Sequence, residues 1–147
     1  RMDVHRLKMG GTIIDDSYNA NPSSTMEALK TLSDLKGKNE SMVIFGDMLE
    51  LGDDAERLHE EIGGAMADTG VGNIFLKGDF SRSVARGAIQ EGFDEDNIYF
   101  VDAPEDMMAE LHSLLREGDW VLIKGSRNMK METFLKAILE EFGQVME

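Results

Sequence analysis

One unit recurs along this chain and limits what it can become. Short apolar runs at Ile13–Ile14, Met42–Phe45, Ile74–Leu76, Ile98–Val101 and Trp120–Ile123 are each followed by a helical stretch of about ten to sixteen residues. Runs without polar alternation suit strands covered by helices on both faces. Helical stripes follow them: Met26, Leu29, Leu32 and Leu35; Leu58, Ile62 and Met66; Val84, Ala88 and Ile89; Met107, Leu111, Leu114 and Leu115; Phe134, Leu135, Ile138 and Phe142. Strand and helix alternating in this order predict right-handed crossovers and an α/β fold, a doubly wound, mostly parallel, Rossmann-like sheet with helices on both faces. Ahead of the series, Val4–Lys8 and Thr12–Ile14 flank Met9, Gly10 and Gly11, a pattern that predicts an antiparallel N-terminal hairpin adding an edge strand. With 147 residues, two prolines and no low-complexity run, residues 1–147 are expected to form a single domain.

In a doubly wound sheet the loops that follow the strands gather at one edge, where such folds bind ligands. These loops are Asp15–Pro22, Gly46–Gly52, Lys77–Phe80, Asp102–Pro104 and Lys124–Asn128. The first is the densest. It runs Asp15, Asp16, Ser17, Tyr18, Asn19, Ala20, Asn21, Pro22 into a helix expected to open at Ser23, with Ser23 or Ser24 as its cap. The second places Asp47 directly after an apolar strand and ends in Gly52, Asp53 and Asp54. The last sets Lys124, Ser126 and Arg127 around Gly125, a candidate cradle for a carboxylate or phosphate. Each has a purely structural alternative: Asp47 capping a turn, Lys124 pairing with Asp15 or Asp16 as an ion pair at the sheet edge.

Several classes of function are excluded. Against 29 Asp and Glu there are 15 Lys and Arg, a net charge of −14, so no basic face is available for nucleic acid. The chain has no Gly-x-x-x-x-Gly-Lys-Ser/Thr loop for a triphosphate, no Gly-x-Gly-x-x-Gly for a dinucleotide and no Gly-x-Ser-x-Gly nucleophile elbow. His5, His59 and His112 are dispersed and cysteine is absent, which argues against zinc. Of the eleven methionines, Met107, Met108, Met129 and Met131 fall in helical patterns and are expected to fill core. No apolar stretch approaches the ~20 residues of a membrane span, and the start lacks a signal-peptide core, so a soluble, cytoplasmic chain without membrane insertion is expected. A monomer is the expected state, although nothing in the sequence fixes it. Arg1 as first residue is expected to mark a piece of a longer protein.

The Asp15–Pro22 string, Gly46-Asp47-Met48-Leu49-Glu50-Leu51-Gly52 with His59 after it, and Lys124-Gly125-Ser126-Arg127 with Met131-Glu132 closely resemble the C-terminal domain of the Mur ligases. Within that family the wording resembles the type that adds D-alanyl-D-alanine to UDP-N-acetylmuramoyl-tripeptide. The resemblance covers essentially the whole chain, with Arg1 and Met2 at the junction to a central domain. It implies a bacterial, cytoplasmic ligase that uses ATP and Mg²⁺ to phosphorylate a substrate carboxylate, which the incoming amine then attacks. It implies that the phosphate loop and metal ligands lie on the central domain, that this domain closes over ATP, and that the fragment alone is inactive. Arg1, Asp16, Tyr18, Asn19 and Asn21 would then serve ATP. Lys124, Ser126 and Arg127, with Asp47 and Glu50 beside them, would serve the amine substrate. Two alternatives stay open: a phosphorelay receiver-like domain using Asp15, Asp16, Asp47 and Lys124, and a non-catalytic interaction module. The receiver reading fits less well, since Asp47 comes one βα unit early and the hairpin has no place in it.

Overall fold

A computed structural model describes residues 2–146. Within them the chain runs β1 (Asp3–Arg6), β2 (Thr12–Asp16), α1 (Pro22–Lys36), β3 (Ser41–Gly46), α2 (Ala55–Asp68), β4 (Asn73–Lys77), α3 (Ser81–Gln90), β5 (Ile98–Phe100), α4 (Pro104–Leu114), β6 (Trp120–Lys124) and α5 (Glu132–Phe142). Single 3-10 turns sit at Gly52–Asp54, Glu95–Asn97 and Arg127–Met129. The strands form one sheet in the order β1-β2-β6-β3-β4-β5. Only β1 is antiparallel, paired with β2 so that Asp3 faces Asp15 and Arg6 faces Thr12; the other pairings are parallel.

The order explains the layers. From β2 the chain passes over to β3 and then steps outward through β4 to β5, so three successive crossovers run in one direction. Crossovers of one hand put their helices on one face: α1, α2 and α3 supply Leu29, Leu32, Ile62, Met66, Val84 and Ala88 to a core with Val43, Phe45, Ile74, Leu76 and Leu122. The step from β5 back to β6 reverses direction. Accordingly α4 and α5 lie opposite, and Met107, Leu111, Phe134 and Ile138 pack on Met42, Ile44, Phe75, Val121 and Ile123. Alternate residues of each central strand thus serve the two cores, which is why those strands read as unbroken apolar runs. Met107 and Met131 are fully buried and Met108 and Met129 partly so, in keeping with core filling.

Three expectations need correction. Helix α1 starts at Pro22, with Asn21 as cap: its side chain accepts from Ser24 N–H at 2.8 Å while Ser24 Oγ accepts from Asn21 N–H at 3.1 Å. Proline suits that first position because its missing N–H would have had no partner there. The buried stripe of α1 is Thr25, Ala28, Leu29 and Leu32, whereas Met26 and Leu35 are each 50% exposed and Ile89 of α3 also faces solvent. A 3.6-residue period through Leu29 and Leu32 carries Met26 and Leu35 past the edge of the contact. Finally, β5 is an edge strand ending at Phe100, which is half exposed; with no neighbour beyond it, it is not sandwiched as the inner strands are.

Helices α2 and α3 approach unusually closely. A Cβ on Gly63 would collide with the Val84 carbonyl oxygen and one on Gly87 with the Glu60 carbonyl oxygen, so each helix needs a glycine where the other's backbone passes.

Candidate functional site

The carboxyl ends of β2, β6 and β3 lie side by side where the strand order reverses, the position at which open α/β sheets leave a ligand crevice. Three loops meet there. Asp16 closes β2 and Lys124 closes β6, directly opposite in register, and Lys124 Nζ lies 2.7 Å from Asp16 Oδ2. The ammonium also donates to the Asn19 carbonyl at 3.0 Å. The ion-pair alternative for Lys124 is therefore what the structure contains.

Next to it Asp15 accepts from both Ser17 N–H and Ser17 Oγ, an Asx turn that bends the chain off the strand. The bend leaves Tyr18 62% exposed and Asn19 at the surface, with Asn19 Oδ1 accepting from Ala20 N–H at 2.9 Å. Ala20 returns to the interior, and its carbonyl accepts from Ser126 Oγ at 3.3 Å.

The second loop is fastened residue by residue. The buried Asp47 carboxylate accepts from Asp79 N–H at 2.7 Å and from Phe80 N–H at 3.1 Å, tying the β3 loop to the β4 loop. Burial pushes its carboxyl above the ordinary range, and the two backbone donors pull the other way. Gly78, at φ 119°, leaves the space that the carboxylate fills. Met48 N–H donates to His59 Nε2 at 3.0 Å, and the other ring nitrogen faces the Ala55 carbonyl at 2.6 Å, which fits the Nδ1–H tautomer. The His59 ring stacks on Phe80 with centroids 4.6 Å apart. Leu49 N–H donates to Ser126 Oγ at 2.7 Å and Ser126 N–H to the Asp47 carbonyl at 3.0 Å. So held, the loop presents Glu50 at its exposed tip in the left-handed region, φ 62°.

From the third loop Arg127 reaches outward. Its guanidinium lies 5.2 Å from the Tyr18 ring centroid, and Nη1 donates to the Tyr18 hydroxyl at 3.4 Å. Beside the pair is a hollow of about 360 Å³ lined by Asp3, Asp15, Ser17, Tyr18, Arg127 and Glu132.

The ten candidate residues thus divide. Asp16, Asn21, Asp47, Lys124 and Ser126 spend their polar atoms on other parts of the chain. Tyr18, Asn19, Glu50 and Arg127 are exposed at the edge, and Arg1 lies outside the described residues. Sequence reasoning gave His59 no structural role, although it shares the inner stripe of α2 with Ala55, Ile62 and Met66, the spacing that marks a core position. Among the described residues no three acidic or histidine side chains are grouped to hold a metal ion, and no helix is long and apolar enough to cross a membrane.

Fold and site together define a doubly wound α/β domain whose polar loops converge on one sheet edge. The chain belongs to the Mur ligase family: residues 1–127 match the model described as the Mur ligase, glutamate ligase domain. It is 32% identical over 140 residues to the UDP-N-acetylmuramoyl-tripeptide–D-alanyl-D-alanine ligase of Bacillus subtilis, covering 95% of this chain and 30% of that protein. With the ligase of the same name from Escherichia coli the identity is 31% over 130 residues, covering 87% of this chain and 27% of that protein. The MurF ligase from Thermotoga maritima, solved in complex with ADP, superposes with a TM-score of 0.79 at 25% identity over 95% of this chain and 30% of that one. This chain therefore spans about a third or less of the relatives it matches. The receiver-like alternative falls with this match, and its phosphoacceptor candidate, Asp47, has both carboxylate oxygens turned to backbone donors.

Proposed function

We propose that the chain is the C-terminal domain of an ATP-dependent ligase that joins D-alanyl-D-alanine to UDP-N-acetylmuramoyl-tripeptide in peptidoglycan precursor synthesis. In this reading the carboxylate of the tripeptide takes the γ-phosphoryl group of ATP, releasing ADP. The amine nitrogen then attacks the acyl carbon, phosphate leaves, and the nitrogen gives up its proton. ATP supplies the activation, and Mg²⁺ the charge neutralisation, from groups carried elsewhere in the full-length protein.

One observation carries the reading. Tyr18, from the loop expected to serve the nucleotide, and Arg127, from the loop expected to serve the amine, touch each other beside the hollow that both line. An acyl-phosphate reaction brings the γ-phosphoryl group to an oxygen and the amine to the carbon of the same carboxyl group, so residues that serve nucleotide and amine are expected to lie close together. Within that edge the exposed Arg127 would bind the dipeptide carboxylate, and Tyr18 and Asn19 would line the nucleotide. Glu50 would sit beside the amine. Asp16 and Lys124 would hold the Tyr18 loop at the end of β2, while Asp47 and Ser126 would hold the Glu50 loop. Asn21 fixes the first turn of α1, and Arg1 would stand at the junction with the nucleotide. A domain that brings a cation to a phosphoryl-transfer site and excludes water can set the rate without its own phosphate loop.

The test is ATP-dependent phosphate release by the full-length protein with UDP-N-acetylmuramoyl-tripeptide, comparing D-alanyl-D-alanine with single amino acids. Turnover with the dipeptide alone, with KM for it raised about tenfold or more in Arg127→Gln, is expected. Turnover with a single amino acid, or an unchanged KM in that variant, would overturn the assignment.

A further inference from the structure

We infer that Lys77 is a positioning residue for Arg127, a role that rests on the reading of Arg127 as a substrate-binding group. Lys77 ends β4 and stands in register with Gly46, the last residue of β3. Gly46 has no side chain because the entry to α5 lies on it: an added Cβ would be 2.7 Å from Met131 Sδ and 3.1 Å from Met129 Cβ. From the next strand out, the Lys77 ammonium donates to the Met129 carbonyl at 2.9 Å and sits 5.7 Å from the Phe134 ring centroid. The lysine thus reaches the far end of the loop whose near end is held by Ser126.

What it holds is the 3-10 turn Arg127–Met129. That turn has two backbone bonds, Met129 N–H to the Ser126 carbonyl at 2.9 Å and Lys130 N–H to the Arg127 carbonyl at 3.2 Å, and the chain leaves it through Lys130 in the left-handed region at φ 55°. So short a turn has little stiffness of its own. An ammonium on its last carbonyl is a charge-assisted bond at the negative end of the turn, where a cation is favoured. Arg127 begins the turn and is itself exposed, so the place of its guanidinium over Tyr18 depends on where the turn is held. Lys77 reaches no ligand in this account; it acts through the position of Arg127.

The experiment compares Lys77→Met, Lys77→Arg and Arg127→Gln in the full-length ligase, reading KM for the dipeptide and kcat separately, with thermal unfolding of each variant. K77M keeps an unbranched apolar stem nearly as long but loses the ammonium, and with it both the donor to Met129 and the charge over the Phe134 ring. It is expected to raise KM for the dipeptide about tenfold with kcat within about twofold, and K77R, which keeps a donor and the charge, to restore most of the loss. A raised KM in R127Q with no change in K77M overturns the role of Lys77 and leaves the function intact. No change in either variant overturns the reading of Arg127 itself. Should K77M unfold early, Lys77→Gln replaces it, since its neutral amide is too short to reach the same carbonyl, and the same two outcomes decide.

Discussion

Lys124 Nζ and Asp16 Oδ2 lie 2.7 Å apart at the ends of two adjacent parallel strands, with the two side chains only 2% and 6% exposed. Withdrawing both charges from water is costly, so the pair contributes geometry more than net stability. It fixes the point at which β2 gives way to the Tyr18 loop, and through the Asn19 carbonyl it fixes that loop as well. Removing one partner leaves the other charge buried. We therefore expect Lys124→Met and Asp16→Asn each to lower unfolding free energy by about 3 to 5 kcal/mol. The double variant should lose less than the sum of the two. Urea unfolding of all three variants checks this, and strict additivity would show that the charges do not depend on each other.

Neighbouring glycines of α2 predict opposite outcomes. Gly63→Ala drives a methyl group into the Val84 carbonyl, backbone that cannot swing aside, and should cost about 3 kcal/mol or more. Gly64→Ala meets Glu91 Cγ at 3.3 Å, the stem of a flexible side chain, and the Gly87 carbonyl oxygen at an ordinary 3.7 Å, and gains helix propensity of up to about 1 kcal/mol. Gly87→Ala should behave as Gly63→Ala does, because its methyl meets the Glu60 carbonyl. Melting temperatures of the three variants separate close approach from propensity.

The layers of the fold were legible because they follow from period and order. Apolar runs without alternation suit covered strands, which the inner ones are and the edge strand β5 is not, and strand-helix alternation with one hand of crossover leaves few sheets to choose from. The loops at the sheet edge were legible for the same reason. What the sequence did not disclose was how the polar atoms in those loops are spent. Lys124 beside a glycine reads equally as an anion cradle and as half of an ion pair, since the choice depends on Asp16, 108 positions away. Asp47 faces backbone N–H groups of Asp79 and Phe80, and backbone donors leave no mark in a sequence. Met26 and Leu35 failed as core because an apolar stripe shows period but not the width of the contact it meets.

Two aspartates should give the stability of this domain opposite responses to acid. Burial raises the Asp47 carboxyl above its unfolded value, so the folded state holds the proton more tightly, and its contribution is present in acid and lost as pH rises through the folded value. Asp106 accepts from the Ala103 and Asp102 N–H groups, which lower its value; its contribution is present above the unfolded value and lost as pH falls through the folded one. Urea midpoints between about pH 3 and 6 should therefore show the advantage of wild type over Asp47→Asn shrinking as pH rises, and its advantage over Asp106→Asn growing. Parallel profiles for the two variants would refute the assignment.

His59 and Ser126 each hold one amide of the Glu50 loop, and removing either should loosen a different residue. The ring accepts from Met48 N–H while Ser126 Oγ accepts from Leu49 N–H, and the two reach the loop from different elements, α2 and the turn after β6. His59→Phe retains a ring to stack on Phe80 but strands the Met48 donor, a loss of about 1 to 3 kcal/mol for a buried group left unpaired; the Ala55 carbonyl keeps its bond within α2. Ser126→Ala frees Leu49 N–H and the Ala20 carbonyl, so it also detaches the Glu50 loop from the Tyr18 loop. Amide hydrogen exchange is the measurement, since it reads local opening residue by residue. His59→Phe should speed exchange mainly at Met48, and Ser126→Ala mainly at Leu49 with a smaller effect at Met48. If either substitution accelerates both amides equally, the loop opens as one piece and the two side chains are redundant clasps rather than separate ones.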